Sequence, residues 1–549
     1  MLMIRNNKKA CCLLLAAAGL IFAACTKQLN KIPETTLSDA AFWKTSSDLR
    51  DACNSFYVVL PAIQSNDAAV WSDDGFGTAP NTISDGSRLV PVTSGDWSDK
   101  YSLIRKCNNV LEKSSRVSDD PEQVDRYRGE ARFFRAFAYM ELVKRYGDVP
   151  LILRTFDVND TLTEAYRTAR ETVMDSIYAD LDFAIAHLPV ASKLPQAEYG
   201  RATRGAALFL KASAGLFEGT WNKFHQQGDA SRHLNIALEA SEQIINSGEY
   251  ALFTYAPLPD SSYFYLFQNA GEGPANKENI LVRLYGENMN NSIASHNYVR
   301  SIWGGSVTPT KSLMDAYLYK DGLPAGKSPW EKPQTNTLSQ YENRDPRMDM
   351  TVFNKRHWFI NSLYVPSFQN TLTGYKSRKY FISVDWTINQ SYVDNIIMRY
   401  AEVLLMFAEA KYELNGQISD DDLNRSVNLI RHRVGMPPLT NAFVAEHSLS
   451  MREEIRRERR VELALEGDHR YWDLIRWKTA ETVLPQAVLG TKFFPDEYVD
   501  VTNPKLTPEG FVIAQDAAKR KFDPDKDYLW PLPTKELGLD IHLSQNPQW

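Results

Sequence analysis

The chain has 549 residues, 43% of them hydrophobic and 24% charged, an ordinary globular composition with length enough for a large core. Its net charge is −6, and no long basic run follows the N-terminal region, which argues against a nucleic-acid partner. After residue 24 no stretch reaches 18 consecutive apolar residues, so none is expected to cross a membrane as a helix.

The N-terminus reads as an export signal. Arg5, Lys8 and Lys9 precede an uninterrupted apolar or small-residue run over residues 10–24, whose 15 residues fall short of the ~20 that a spanning helix needs. Phe22-Ala23-Ala24-Cys25 resembles a bacterial lipobox, with Phe22 where Leu is more usual. Cys25 is therefore expected to become the lipid-carrying first residue after cleavage of 1–24, with 25–35 as a lipidated leader. A plain signal peptide or a membrane anchor, with Cys25 incidental, is the competing reading. Cys11 and Cys12 leave with the signal, while Cys53 and Cys107 sit in apolar helical patterns, either as one disulfide or as two buried thiols. Two cysteines and nine scattered histidines give no recognisable metal-site spacing.

Helical periodicity dominates the chain beyond this leader. Residues 38–60 open on a Ser-Asp cap, and 97–113 place Tyr101, Ile104, Asn108 and Leu111 three or four apart, with Trp97 read as core. Residues 121–146 start on Pro121, carry Tyr127, Ala131, Phe134, Ala138 and Leu142 as one stripe, and stop at Gly147-Asp148. Further helices are expected over 169–188, 203–218, 230–247, 396–415, 421–433 and 449–466. Several pair across short turns, as a tetratricopeptide-type solenoid requires, although the repeat consensus is missing and a bundle of unrelated helices is the alternative.

Two stretches break the pattern. In 71–96, and again in 251–395, Gly, Pro, Asn, Ser and aromatics crowd together, with helix expected mainly over 309–319. Long irregular segments in a compact protein are usually functional, so these two are the expected binding surface. The fold expected is mostly α: a tetratricopeptide-like helical-hairpin scaffold of α-α superhelix type, with a loop-rich irregular ligand-binding region.

Several segments, in one order along the chain, resemble the SusD/RagB family. They are "RGEARFFRAFAYMELVKRYGDVPLI" at 128–152, "GRATRGAALFLKASAGLF" at 200–217, "RYAEVLLMFAEAKYELNG" at 399–416 and "RRERRVELALEGDHRYWDLIRW" at 456–477. The tail "YLWPLPTKELGLDIHLSQNPQW" closes as that family closes. The resemblance implies a helical N-terminal part over 36–250 and a C-terminal part over 251–549 that includes the irregular 251–395. It also implies a lipid-anchored protein of the Gram-negative outer membrane, facing the cell exterior, that hands nutrient to a SusC-like TonB-dependent barrel. Most members bind oligo- or polysaccharide and some bind peptide. Glycan capture without catalysis or cofactor is the function expected. A peptide-binding member is the alternative. A surface glycosidase is a third reading that 68 acidic residues alone do not exclude, though no hydrolase motif is visible.

The recognised motifs themselves read as scaffold. Tyr400, Leu404, Phe407 and Ala408 share a helix face, and the charges of 456–477 are expected to form buried Arg–Glu networks, with Glu453 and Arg457 also pairing at i,i+4. A sugar offers apolar C–H faces and many hydroxyls, so its site needs accessible aromatics beside Asn, Asp, Arg and backbone groups. In the first irregular stretch this selects Trp71, with Asp73, Asp74, Asn81, Asp85 and Arg88. In "ENMNNSIASHNYVRSIWGG" at 287–305 it selects Asn290, Asn291, His296, Asn297, Tyr298, Arg300 and Trp303, the last followed by Gly304 and Gly305. The ligand set expected is Trp71, Asp73, Arg88, Asn297, Tyr298 and Trp303, with Trp330, Trp358 and Tyr375 held in reserve. "TGYKSRKYF" at 373–381 suits an acidic sugar or the barrel partner, with packing the favoured role.

Overall fold

Helices α1 (Ser46–Tyr57), α2 (Gly95–Lys113), α3 (Pro121–Tyr146), α4 (Arg170–His187), α5 (Arg204–His225) and α6 (Ala230–Ser247) build the first half of the molecule. They are followed by α7 (Tyr298–Trp303), α8 (Tyr400–Asn415), α9 (Met451–Glu462) and α10 (His469–Arg476). The computed structural model describes residues 42–156, 166–286, 294–498, 500–501 and 503–549. The expectations for the signal, for Cys25 and its leader, and for Asn290 and Asn291 fall outside these residues.

Local chemistry sets most helix ends. Thr45 and Asp48 cap α1 reciprocally, the Asp48 carboxylate accepting the Thr45 N–H at 2.8 Å, so the described helix starts at Ser46. Asp120 accepts the Gln123 N–H ahead of Pro121, and Gly147, at φ 72°, closes α3. The stripe Tyr127, Ala131, Phe134, Ala138 and Leu142 is buried as its spacing requires. Helix α5 runs past the expected 218 to His225, because Thr220, Trp221 and Asn222 are also buried.

Two expected helices are corrected. Residues 396–399 belong to a strand, β6 (Asn395–Arg399), which pairs antiparallel with β2 (Asn279–Arg283), so α8 begins only at Tyr400. The expected 421–433 is two pieces, Asp420–Asn424 and Val427–Arg433. Helix α3 packs against α2 and α4, α5 against α6, and α8 against both α6 and α9. A large core threads these helices, and a smaller one, with Tyr263, Phe267, Tyr298, Phe353 and Phe381, lies under the irregular region.

Buried charge ties that region to the helices. Arg399, at the end of β6, bonds Glu278 at 2.9 Å, Glu462 at 2.6 Å and Glu466 at 2.7 Å. Arg347 bonds Asp345 at 2.7 Å, Glu458 at 2.7 Å and Glu462 at 3.1 Å, while Arg433 reaches Glu278 and Glu462. A second cluster joins Glu402 of α8, Arg459 of α9, and Asp473 and Arg476 of α10, and Arg476 also pairs with Glu409. Ion pairs without water must be well bonded to offset desolvation, and these are multiply bonded. The expected Arg–Glu networks are therefore present. The expected Glu453–Arg457 pair is not: Glu453 lies 3.6 Å from Arg456, and Arg457 lies 3.4 Å from Glu454. Cys53 and Cys107 are free and buried, which removes the disulfide alternative.

Candidate ligand-binding surface

The two irregular stretches meet. Strand β1 (Gly75–Phe76) pairs with β3 (Thr308–Pro309), which brings the first loop beside the turn after Trp303. Gly305, at φ 79°, permits this turn: a Cβ there would stand 1.7 Å from the Asn370 carbonyl oxygen. A short hairpin, β4 (Trp358–Phe359) and β5 (Ser362–Leu363), completes one rim, with Trp358 61% and Leu363 55% exposed.

Between this hairpin and the end of α7 lies a cavity of about 650 Å³, lined among others by Trp303, Phe359, Tyr364, Phe368, Asn370 and Lys376, and by no residue of the first loop. Trp303 sits half-buried at the end of α7, its ring 6.0 Å from that of Trp386. The Arg300 guanidinium lies 4.0 Å from the Trp386 ring centroid and donates to the Trp386 carbonyl oxygen at 2.8 Å, which holds Trp386 in place beside Trp303. Phe359 packs on Phe381 and Tyr364. Asp500 also lines the cavity: its Oδ2 accepts the Ser367 hydroxyl at 2.6 Å and the N–H groups of Phe368 at 2.8 Å and Gln369 at 2.9 Å. Lys376 Nζ donates to the Trp303 carbonyl oxygen at 2.9 Å, and burial pushes its ammonium down to about 8. Apolar ring faces beside amide, carboxylate and ammonium groups are a chemistry suited to a polyhydroxylated ligand.

Of the residues selected from sequence, Trp303 lines this cavity. Tyr298 is corrected. It is 2% exposed, its ring packs 6.3 Å from that of Tyr380, and its hydroxyl bonds Asp67, so no face is open for stacking. Asn297 is exposed just ahead of α7 and outside the lining.

Trp71, Asp73 and Arg88 are held elsewhere, by C-terminal segments. Trp71 packs edge-on against Tyr471 and Trp530, beside a separate cavity of about 600 Å³ that Phe137 and Trp472 also line. Asp73 bonds Arg470 at 2.9 Å and Arg460 at 2.8 Å; burial alone would raise its carboxyl, but these guanidiniums hold it well below the usual range. The Arg88 guanidinium lies 3.7 Å from the Trp530 ring centroid. Of the reserve aromatics, Trp330 is exposed at another cavity, of about 640 Å³, Trp358 is exposed on β4, and Tyr375 is buried with its hydroxyl on Gln340. Within 373–381, Tyr375, Lys379 and Tyr380 pack as expected, whereas Lys376 reaches the cavity. Sequence reasoning did not single out Phe359, Tyr364 or Phe368, although all three lie in the irregular stretch 251–395.

Comparison with known proteins matches a model described as the SusD family to residues 276–549, and one described as starch-binding, associating with the outer membrane, to residues 81–213. The SusD-like protein P2 of Formosa agariphila is 26% identical, over 96% of this chain and 97% of that protein. A crystal structure of a SusD-like carbohydrate-binding protein from Bacteroides fragilis superposes with a TM-score of 0.75 at 25% identity, covering 92% of this chain and 100% of that one. A second SusD-like protein from the same species gives a TM-score of 0.74 at 25% identity, covering 93% of this chain and 99% of that one.

Proposed function

Because this chain belongs to the SusD/RagB family, whose tetratricopeptide-like helical fold it shares, we propose that it captures glycan at the Trp303 cavity for uptake across the outer membrane. The observation that carries this reading is one cavity in which the half-buried Trp303 lies beside Phe368, Asn370 and Lys376. Trp303 offers a ring to a sugar face, Phe368 adds apolar contact, and Asn370 and Lys376 address hydroxyl oxygens. The role is capture without turnover.

The same proposal places the protein on a lipid carried by Cys25, facing outward, with a SusC-like TonB-dependent barrel as the recipient. Among the described residues no helix is long and apolar enough to cross a membrane, and several acyl chains on one cysteine make a firm anchor without one. Stable complexes of this kind bury on the order of 2,000 Å² or more.

Retardation on native gels containing polysaccharide, set against calorimetry with peptides, tests the ligand class. Retardation by glycan is expected; heat with peptides alone would replace this reading by the peptide-binding one, and release of shortened sugars would replace it by a hydrolase. Gentle purification from native membranes should bring the barrel down with the protein, and recovery of the chain alone from cells that express the transporter would contradict the partnership.

A further inference from the structure

Lys376 and Lys379, three residues apart, are both buried but differently served. Lys379 Nζ has three acceptors, the Tyr263 hydroxyl at 2.7 Å, the Ala464 carbonyl at 2.8 Å and the Glu466 carboxylate at 2.8 Å. Lys376 is 5% exposed, and its Nζ has one protein acceptor, the Trp303 carbonyl at 2.9 Å. None of the described carboxylates forms an ion pair with it, and burial is the sole influence that moves its titration. An ammonium carries three N–H donors, so two face no protein acceptor among the described residues.

The position of this cation matters. Lys376 is part of the cavity wall, and its one bond goes to the backbone of the tryptophan proposed to stack the sugar. A desolvated charge without a counter-ion is costly, and a partner that supplies both charge and acceptors recovers that cost. A neutral hydroxyl supplies only an acceptor, whereas an anion makes charge-assisted hydrogen bonds of roughly twice the strength. Asp500, the acid in the same wall, has its Oδ2 engaged by three donors of the 367–369 turn and so is held away from the role of counter-ion to Lys376.

We propose that the Trp303 cavity selects an acidic glycan, with Lys376 receiving a carboxylate or sulfate group on the sugar that stacks beside it. This deepens the glycan-binding reading and rests on it. The anion replaces the counter-charge that the protein withholds, and the ring of the same sugar residue covers the indole. Lys376 is thus a specificity-determining residue, and Trp303 a general one that holds charged and neutral sugars alike.

The test pairs glycans that differ in charge alone: polygalacturonate with its methyl ester for the carboxylate, and sulfated carrageenan with its desulfated form for the sulfate. Xylan and a maltooligosaccharide serve as neutral probes, and the detergent-extracted full chain is used for all. At least one charged member should bind about tenfold more tightly than its neutralised counterpart, and which pair responds identifies the anion. Lys376→Met should lower the charged member to the level of its neutralised counterpart, abolishing the difference within the pair, while Lys376→Arg restores much of the preference. Binding of neutral glycans alone, equal binding within both pairs, or an unchanged preference in Lys376→Met overturns the acidic selectivity and leaves glycan capture standing. Failure of every glycan to bind overturns both.

Discussion

Removing the Glu462 carboxylate tests whether buried charge locks α9 to the irregular region. Glu462 is fully buried and accepts from Arg399 at 2.6 Å, Arg433 at 2.5 Å and Arg347 at 3.1 Å. Breaking a buried pair by deleting one partner costs about 3–5 kcal/mol. Each of these arginines keeps another carboxylate, at Glu278, Glu466, Asp345 or Glu458, so Glu462→Gln belongs at the lower end, about 3 kcal/mol. Urea unfolding followed by tryptophan fluorescence should show a lower midpoint at an unchanged slope. Glu453→Gln, which alters an exposed carboxylate 3.6 Å from Arg456, should move the midpoint little, since pairs with an exposed partner contribute ~0–1 kcal/mol. The pH dependence adds a sign. Burial would raise the Glu462 carboxyl, but Arg433, Arg399 and Arg347 overturn that and hold it well below its ordinary value. The stability it contributes is therefore complete above the unfolded value of about 4.3 and is lost as pH falls through the folded one, so wild type and Glu462→Gln should converge in acid. Equal midpoints at pH 7 would refute the locking role.

Tyr298→Ala should cost about 3–5 kcal/mol of stability, measured by the same unfolding assay, because it empties a buried ring site and leaves Asp67 with the Ser306 hydroxyl but without that of Tyr298; an unchanged midpoint would return Tyr298 to the surface. Cys25→Ala should move the protein out of the membrane fraction with its fold intact, and mass spectrometry of the native N-terminus should find lipid on Cys25; an unmodified cysteine contradicts the anchor. Burial, then the neighbouring Asp394, push the Glu272 carboxyl up to about 7. Stability linked to it is present at low pH and lost as pH rises through that value, so Glu272→Gln should raise the melting temperature at pH 8 and leave it nearly unchanged at pH 5.

How much of this was legible in sequence depended on whether the governing contact was local. Helix α3 was readable to its ends because Asp120, Pro121, the apolar stripe and Gly147 are all local signals. Residues 396–399 misled because their apolar run suits either a strand or a helix, and pairing with β2, more than a hundred residues earlier, decided for the strand. Trp303, which lines the cavity, stood out in sequence because an aromatic before two glycines, amid polar residues, is a local mark of a turn. Trp71, Asp73 and Arg88 lie in equally polar sequence, but they are engaged by Arg460, Arg470, Tyr471 and Trp530, and nothing in the loop encodes those distant partners. Lys376 was hidden for the converse reason: its neighbours Tyr375, Lys379 and Tyr380 all pack, and the tight approach at Gly305 and Asn370 places the cavity around it.

The central claim is that glycan binds at the Trp303 cavity, and the most direct measurement is the affinity of Trp303→Ala for whichever glycan wild type binds best. The ring is half-buried and faces the cavity, and an aromatic contact adds about 0.5–1.5 kcal/mol beyond the area it covers, so affinity should fall about tenfold while the melting temperature stays close to wild type. Full affinity in this variant, or a large loss of stability with binding intact, would contradict the site.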